Sequence, residues 1–369
     1  MVVKKKKGVF VKNLIVLLVT LILCFLILEV ITRILFPNFS PSRDNEFQFY
    51  EYDSVLGWKN NPGAEGLFKT PDTLSYVTIN SKGLRDKEYD YEKDSSVKRI
   101  LFFGDSHVWG YGLNNSDRFS EILEKKLGED YEVINMGVTG YSTDQEFLLL
   151  RDEGLKYNPN VVVLVFYAND LGGGLHNLRS GYYKSTIAKD GEGYVVENMP
   201  VPEPEDFVEA RENYQDQGIF AVVKFFTNKS RFLYFISKYS YDGFKNFLIR
   251  TGSSQEAPQY DVESDEWQNT LFIIGLIDDL CEENDVKFIL TYLPSKQRIK
   301  TNSTNNMGEI LGNFSLEQGI TYLDLTEELL KQNKEADIFR KFDAHMNEKG
   351  NEILAEYFYE KLINEELIE

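Results

Sequence analysis

Short apolar runs and segments of helical periodicity alternate along the chain from residue 97 onward. Short runs rich in β-branched and aromatic residues predict strands at 98–103, 131–135, 161–167, 286–293 and 320–325. Apolar residues that recur every three to four positions predict helices at 119–127, 143–153, 267–283 and 347–362. The third strand, Val161–Tyr167, is apolar throughout, as in a strand that is buried on both faces. This alternation predicts a three-layer α/β domain with a central parallel sheet and crossover helices.

Finer signals complete the predicted layout. Ser142 and Gln145 have the spacing of a capping box, which predicts the start of the second helix at Thr143. Residues 171–265 interrupt the alternation and predict an insertion of roughly 90 residues. The insertion is rich in aromatic residues, which we expect to form local core rather than a platform for sugars. Within the insertion, residues 200–204 predict an extended turn and residues 228–250 one or two helices.

The N-terminal pattern differs from the rest of the chain. Residues 1–12 carry five lysines and no acidic residue. Leu14–Phe36 is then apolar except for two threonines, Glu29 and Arg33. As a helix these 23 residues span about 34 Å, enough to cross a bilayer. The run is too long for a secretory signal and lacks a cleavage site, so it predicts a retained signal anchor rather than a cleaved peptide or a buried helix.

Four regions follow from these patterns. Residues 1–12 form a basic tail, placed in the cytoplasm by its lysines. Residues 13–36 form the transmembrane signal anchor, in which Glu29 and Arg33 are spaced to pair. Residues 37–96 form a linker at Pro37–Pro41 and a β-containing segment, with a strand at 75–80. Residues 97–369 form the α/β domain, which is expected outside the cytoplasm of a single-pass membrane protein.

Composition narrows the function classes. Forty basic and 59 acidic residues give a net charge of −19, which argues against a nucleic-acid partner. Cys24 and Cys281 are too few for a disulfide scaffold or a cysteine-rich zinc site. The three histidines, His107, His176 and His345, lack the spacing of a zinc site, so no zinc site is expected. Acyl transfer by serine and histidine, considered below, implies neither metal nor cofactor. His176 is expected on the surface of the insertion.

Polar residues follow several predicted strands. In open parallel sheets, ligands bind beyond the carboxyl ends of the strands. The residues found there, or in the equivalent position before the last helix, are Gly104-Asp105-Ser106-His107, Gly137–Gly140, Asn169-Asp170 and Asp343-Ala344-His345. Alone, each motif fits a turn, a helix cap or a solvated loop. Together and in this order they supply what acyl transfer needs.

Each candidate residue has a role in that chemistry. Ser106 is the candidate nucleophile, His345 the base that activates it, and Asp343 the acid that orients the imidazole. The candidate oxyanion hole consists of the N–H groups of Ser106 and Gly140 and the side-chain amide of Asn169.

Three neighbouring residues have other expected roles. Asp105 is expected to fix the loop around Ser106. His107 is expected to point away from the reacting groups. Whether Arg85 reaches the cleft is left open.

These motifs resemble those of the SGNH (GDSL-type) hydrolase superfamily, in which the serine lies in a G-D-S motif just after the first strand. The resemblance covers about residues 97–170 and 267–365. It implies a flavodoxin-like fold and the roles given above for Ser106, Gly140, Asn169, Asp343 and His345. Many members place the acid three residues before the histidine. The shorter D-A-H spacing is similar to that of a subset including polysaccharide O-acetyltransferases, and the third motif, usually G-x-N-D, lacks its glycine here.

Three functions are consistent with this resemblance. The first is a membrane-anchored serine esterase that forms a covalent acyl-enzyme from small acyl esters, such as acetyl esters of a cell-surface glycan. The second is a polysaccharide O-acetyltransferase that uses the same serine and histidine and takes acyl groups from a membrane partner. The third is a glycan-binding module without catalytic activity.

Overall fold

The structure is a computed structural model that describes residues 2–36, 47–70, 73–179, 182–191, 193–203, 229–237, 259–364 and 367–368. The chain starts with helix α1 (Val2–Leu35). Its portion Phe10–Leu35 has a mean hydropathy of 3.2 and is long and apolar enough to cross a membrane, as an anchor or a signal sequence does. The predicted pair forms, with Arg33 Nε 2.7 Å from Glu29 Oε1. The predicted linker Pro37–Pro41 lies outside the described residues.

Two antiparallel hairpins precede the α/β domain. Strand β1 (Tyr50–Asp53) pairs with β2 (Gly57–Asn60), and β3 (Glu65–Lys69) pairs with β4 (Leu74–Thr78), which corresponds to the strand predicted at 75–80. Apolar side chains of the hairpins are buried in the same core as one face of the central sheet. The segment before residue 97 therefore packs into the α/β domain.

The remaining elements alternate as the periodicity predicts. In chain order they are β5 (Lys98–Phe103), α2 (Ser106–Trp109), α3 (Phe119–Leu127), β6 (Tyr131–Asn135), α4 (Thr143–Asp152), β7 (Val161–Tyr167), the insertion strands β8 (Leu178–Arg179), β9 (Tyr182–Tyr183), β10 (Thr186–Asp190) and β11 (Gly193–Glu197), then α5 (Asp265–Glu282), β12 (Lys287–Leu293), α6 (Lys296–Thr301), α7 (Met307–Gln318), β13 (Thr321–Asp324), α8 (Thr326–Gln332) and α9 (Glu348–Asn364). All five predicted strands and four predicted helices of the α/β domain are present.

Five parallel strands form the central sheet in the order β13-β12-β7-β5-β6. Counted within this sheet alone, the order is 2-1-3-4-5, that of the flavodoxin-like fold. Alternate residues of each strand point to opposite faces. Leu101 and Phe103 therefore pack with α4, α5 and α7, whereas Ile100 and Phe102 pack with α3, α8 and α9. The predicted three-layer architecture is confirmed.

Helix α7 was not predicted, because two glycines interrupt its periodicity. At Gly308, a Cβ atom would lie 2.6 Å from Asp324 Oδ2 and 3.0 Å from the ring of Tyr292. A glycine is therefore required for the helix to pack this close to the sheet, at the expense of helix propensity. The short helices α6 and α8 were also not predicted.

The capping box predicted at the start of α4 is wrong. Ser142 is the N-cap residue, but its hydroxyl donates to Asp144 Oδ1 at 2.7 Å and accepts no backbone N–H of the helix. The Gln145 amide donates to the carbonyl of Leu56 at 2.7 Å. Both side chains thus bond to groups outside the pattern, which sequence spacing cannot show.

The insertion is described in parts. Strands β8 and β9 form one small hairpin, and β10 and β11 form another. Tyr182 is buried against Trp58, with ring centroids 5.8 Å apart, so this aromatic residue belongs to the core. Residues 231–237 are helical, within the region where one or two helices were predicted, and the rest of 228–250 apart from 229–230 lies outside the described residues, as does the end of the predicted turn at 204. His176 is exposed, as expected.

Candidate active site

The structure brings Ser106 together with the neighbouring residues Asp343 and His345, although His345 lies 239 positions further along the chain than Ser106. Ser106 Oγ lies 2.6 Å from His345 Nε2. The other ring nitrogen, Nδ1, is hydrogen-bonded to Asp343 Oδ1, which also accepts the backbone N–H of His345 at 2.8 Å. A carboxylate on Nδ1 holds the proton there, so Nε2 is left to accept the serine hydroxyl. This is the arrangement of a serine nucleophile, a base and an orienting acid.

Ser106 is positioned at the sheet edge by the turn that follows β5. Asp105 caps α2, and its Oδ1 accepts the N–H of His107 at 2.8 Å. At Gly104, a Cβ atom would lie 2.4 Å from the side chain of Val108, so the strand-to-helix turn requires a glycine. Helix α2 is only four residues long, and its first residue is Ser106.

Arg85 supports this turn and does not enter the cleft. Its guanidinium is fully buried, lies over the Trp109 ring at 4.2 Å and donates to the carbonyls of Trp109 and Gly110 at 3.0 and 2.6 Å. It also donates to the carbonyl of Leu113. The side chain thus bonds to carbonyls at the end of α2 and in the segment that follows it. Burial lowers the pKa of Arg85, and the neighbouring cation Arg118 lowers it further.

The loop after β6 carries Gly140, the second candidate oxyanion-hole residue. Gly140 has a φ of +82°, a conformation that a side chain disfavours. The preceding residue, Thr139, is held by the first hairpin, with its carbonyl accepting from Trp58 Nε1 at 3.0 Å and its hydroxyl bonded to Tyr50 at 2.8 Å. Among the residues that the structure describes, no group accepts the N–H of Gly140 or Ser106. Both donors therefore remain available to a bound oxygen.

Asn169 lies at the same edge but is bonded to a neighbour. Its side-chain amide donates to Asp105 Oδ2 at 2.7 Å, which commits one of its two N–H donors. Its carbonyl accepts from Arg179 of the insertion at 2.9 Å. Asp105 thus links the loop that carries Ser106 to the loop that carries Asn169.

His107 corrects the expectation that it points away from the reacting groups. Its ring centroid lies 4.6 Å from that of His345 and 4.1 Å from that of Tyr167. Tyr111 stacks on His345, with centroids 4.5 Å apart and planes inclined by 20°. Burial lowers the pKa of His107 to about 4, so its ring is neutral at physiological pH. Rings from α2 and its flanking residues therefore fix the plane of the His345 imidazole.

The loop that carries Asp343 and His345 is held from outside by two cations. Lys296, at the start of α6, donates from Nζ to the carbonyls of Arg340, Lys341 and Asp343 at 2.6, 3.3 and 2.9 Å. Arg340 donates to the carbonyl of Gly112 at 2.6 Å and is 4% exposed. The loop is thereby tied both to the end of β12 and to the segment after Ser106.

A group of buried carboxyls lies behind Asn169. Glu146 and Asp170 are both buried, and among the described residues no group bonds to either oxygen of Glu146 or to Asp170 Oδ1. Burial, followed by the neighbouring carboxylates, raises the pKa of both residues well above the usual range. Asp144 is also buried nearby, paired with the buried Lys184.

Sequence reasoning missed several of these residues. Lys296, Arg340, Tyr111 and Glu146 were not singled out, and their positions are set by tertiary contacts. Only Tyr111, five residues after Ser106, had a usable signal, since an aromatic residue that close to a nucleophile lies near the site in any compact turn. Among the described residues, no group of three or more His, Cys, Asp or Glu residues could hold a metal ion.

A family model and a curated relative match parts of the chain. The model of the GDSL-like lipase/acylhydrolase family matches residues 102–216, a range that holds Ser106, Gly140 and Asn169 but not Asp343 or His345. A protein of Mycoplasma pneumoniae with no described activity is 26% identical over 153 residues, which is 38% of this chain and only 17% of that relative.

Solved structures of low sequence identity also align with the chain. The acetyl xylan esterase AlAXEase is 14% identical and covers 72% of this chain and 100% of its own, with a TM-score of 0.40. TesA is 12% identical, with coverages of 72% and 99% and a TM-score of 0.37. The psychrotrophic esterase EstA from Pseudoalteromonas sp. is 12% identical, with coverages of 73% and 98% and a TM-score of 0.38.

The family match begins within the strand that leads to Ser106 and continues through the second and third motifs. The sheet order is the one that the resemblance implies. The sequence motifs, the family match over residues 102–216 and the sheet order thus agree with a resemblance to GDSL-like lipases and acylhydrolases.

Proposed function

We propose that the protein is a membrane-anchored serine esterase, active outside the cytoplasm on small acyl esters such as the acetyl esters of a cell-surface glycan. The observation that carries the proposal is the 2.6 Å contact between Ser106 Oγ and His345 Nε2, with Asp343 on the opposite ring nitrogen. The apolar helix Phe10–Leu35 and the lysines before it support the anchored topology.

The reaction follows from these contacts. His345 accepts the hydroxyl proton of Ser106 as Oγ attacks the acyl carbon, and Asp343 stabilises the resulting imidazolium. The N–H groups of Ser106 and Gly140, with the remaining N–H of the Asn169 amide, stabilise the negative charge on the carbonyl oxygen. His345 then gives its proton to the departing alcohol. Water, activated by the same histidine, releases the acyl group from Ser106.

The shape of the cleft supports a small acyl group. It holds little free volume, and its lining includes the rings of His107 and Tyr111 and the side chains of Leu113 and Met346. Stacked rings and apolar side chains leave little room for a long chain beside Ser106. The glycan part of the proposal rests on the predicted location at the cell surface.

Hydrolysis of p-nitrophenyl acetate by the full-length protein in detergent tests the proposal. Ser106→Ala and His345→Ala are each expected to abolish hydrolysis above background. Ser116→Ala and His176→Ala are matched controls, because both side chains are exposed, and both variants are expected to retain activity. Equal rates in the wild type and the Ser106 variant would refute the esterase and favour a glycan-binding module.

A second candidate function is transfer of the acyl group to a sugar hydroxyl. The D-A-H spacing of Asp343 and His345 favours it, because this spacing resembles that of a subset including polysaccharide O-acetyltransferases. An O-acetyltransferase would take its acyl group from a membrane partner. Acylated oligosaccharide formed from p-nitrophenyl acetate, at the expense of free acetate and dependent on Ser106, would identify the transferase.

A further inference from the structure

A carboxylate near the end of α1 is bound by the insertion of the catalytic domain. Glu29 accepts from the hydroxyl of Ser230 at 2.7 Å and from the backbone N–H groups of Arg231 and Phe232 at 3.2 and 3.0 Å. These donors begin the helical residues 231–237. A carboxylate on an apolar helix is costly in a membrane unless it is bonded in this way. Glu29 thus joins α1 to residues 229–237, which we call the collar.

The position of Glu29 fixes the depth of the collar relative to α1. Glu29 follows Phe10 by nineteen positions, a distance of about 29 Å along a helix, close to the thickness of the hydrocarbon layer. If α1 crosses the bilayer with its lysines in the cytoplasm, Glu29 lies at the outer boundary. The collar must then lie at that boundary too.

Aromatic contacts support the same placement. Phe232 packs on Phe25 of α1, with ring centroids 5.9 Å apart, and Phe235 packs on Phe36, with centroids 4.9 Å apart. Ile236 is 43% exposed. The collar therefore covers the outer end of α1 and still presents an apolar side chain outward.

The composition of the collar matches the lipid–water interface. Residues 229–237 contain Lys229, Arg231 and three aromatic residues, and no acid. In sequence, the 32 residues 219–250 carry six basic residues and one acidic residue, a net charge of +5, in a chain whose total is −19. Ten of these 32 residues are aromatic. Aromatic rings favour the headgroup level, and basic side chains bind anionic phosphates.

We propose that the collar is a second membrane contact, which lies in the headgroup region of the outer leaflet with Ile236 toward the acyl chains. The inference rests on the proposed anchoring by α1. The insertion that holds the collar also borders the site, where Arg179 bonds to the carbonyl of Asn169.

Spin labels on the full-length protein test the depth of the collar in vesicles of phosphatidylcholine and phosphatidylglycerol. Cys24 is replaced by alanine, and the buried Cys281 is left in place. Single labels are attached to Ile236→Cys in the collar, Leu23→Cys on α1 and Leu316→Cys on α7, which is 83% exposed. The measurement compares accessibility to oxygen, which partitions into lipid, with accessibility to a water-soluble nickel chelate.

We expect labels at 236 and 23 to favour oxygen and the label at 316 to favour nickel, with ratios that differ several-fold. A label at 236 that behaves like the one at 316, while the label at 23 is in lipid, would overturn the collar and leave the anchor intact. A label at 23 in water would overturn the anchor, and the collar with it. Glu29→Ala is expected to raise nickel access at 236 several-fold without changing it at 316. An unchanged label at 236 would refute the link between α1 and the collar.

Discussion

Lys296 is predicted to set the activity of the site without touching the reacting atoms. Its ammonium donates to three carbonyls of the loop that ends in Asp343. Lys296→Met keeps the length of the side chain and removes all three donors. Hydrogen bonds to charged groups contribute about 1.5–3 kcal/mol each, but carbonyls in a partly exposed loop regain water. We therefore expect a loss of about 2 kcal/mol in the free energy of unfolding.

The effect on activity follows from the geometry of Asp343. Without the ammonium the loop moves, and the carboxylate no longer fixes His345 against Ser106. Complete loss of an orienting acid lowers kcat on the order of 10⁴-fold in serine triads. A displaced but present acid should cost on the order of 10–100-fold in kcat, or about 1.4–2.7 kcal/mol, with little change in KM. Lys296→Arg, which retains the charge and the donors, should recover most of the loss.

The assay is steady-state hydrolysis of p-nitrophenyl acetate, with urea unfolding measured in parallel. Lys300→Met is the matched control, because Lys300 lies on the same helix and pairs with the exposed Asp337 at 2.7 Å. A cation in the first turn of a helix is itself unfavourable, by about 0.3–1 kcal/mol. If the bonds from Lys296 to the loop contributed nothing, Lys296→Met would therefore leave the free energy of unfolding unchanged or raise it slightly. Wild-type kcat in a folded Lys296→Met protein would refute the positioning role.

Three further predictions concern the surrounding shell. Because the pKa of His107 is lowered to about 4, its neutral form stabilises the fold above pH 6.5, and this contribution, at most about 3 kcal/mol, is lost as the pH falls toward 4. In urea unfolding at different pH values, His107→Gln should reduce that loss of stability. A pH dependence equal to that of the wild type would refute this prediction. Gly140→Ala should lower kcat about 10–100-fold, because a side chain at a φ of +82° strains the backbone by about 1–2 kcal/mol and shifts the N–H of residue 140. The control is Gly191→Ala, which also lies at positive φ but in open space. This control should lower the free energy of unfolding and leave kcat unchanged. Arg85→Met should lower the free energy of unfolding by about 3 kcal/mol or more. Arg85→Lys should not restore the lost stability, because only the planar guanidinium of arginine reaches all three carbonyls. A loss below about 1 kcal/mol in Arg85→Met would contradict this prediction.

The sheet could be predicted because its signals are local. Each central strand is a short apolar run, and the runs β5 and β7 are buried along almost their whole length. Ser106, Gly140 and Asn169 follow these strands closely, so a parallel arrangement brings them to one edge, whereas Asp343 and His345 precede the last helix. Periodicity does not reveal where a helix packs closely against the sheet. In α7, the glycines that allow this contact also weaken the helical pattern in the sequence.

The shell around the site could not be predicted, for a related reason. The bonds of Lys296 reach carbonyls 44–47 residues further along the chain. A lysine that binds main-chain carbonyls has no sequence signature, because every residue has a carbonyl group and no particular partner residue is required. The orientation of the His107 ring depends likewise on Tyr167, the last residue of β7, whose ring centroid lies 4.1 Å away.

The two-residue spacing of Asp343 and His345 has a structural consequence that explains the need for this shell. One oxygen of Asp343 accepts both the backbone N–H and the ring of His345, a local turn that joins acid and base into one unit. Such a unit orients the imidazole relative to its own loop but not relative to Ser106, which lies 239 residues away. The loop itself must therefore be fixed, and Lys296 and Arg340 fix it from two directions. A longer acid–base spacing would let the carboxylate come from a separately anchored turn, whereas here the accuracy of the Ser106 contact depends on two cations outside the reacting groups.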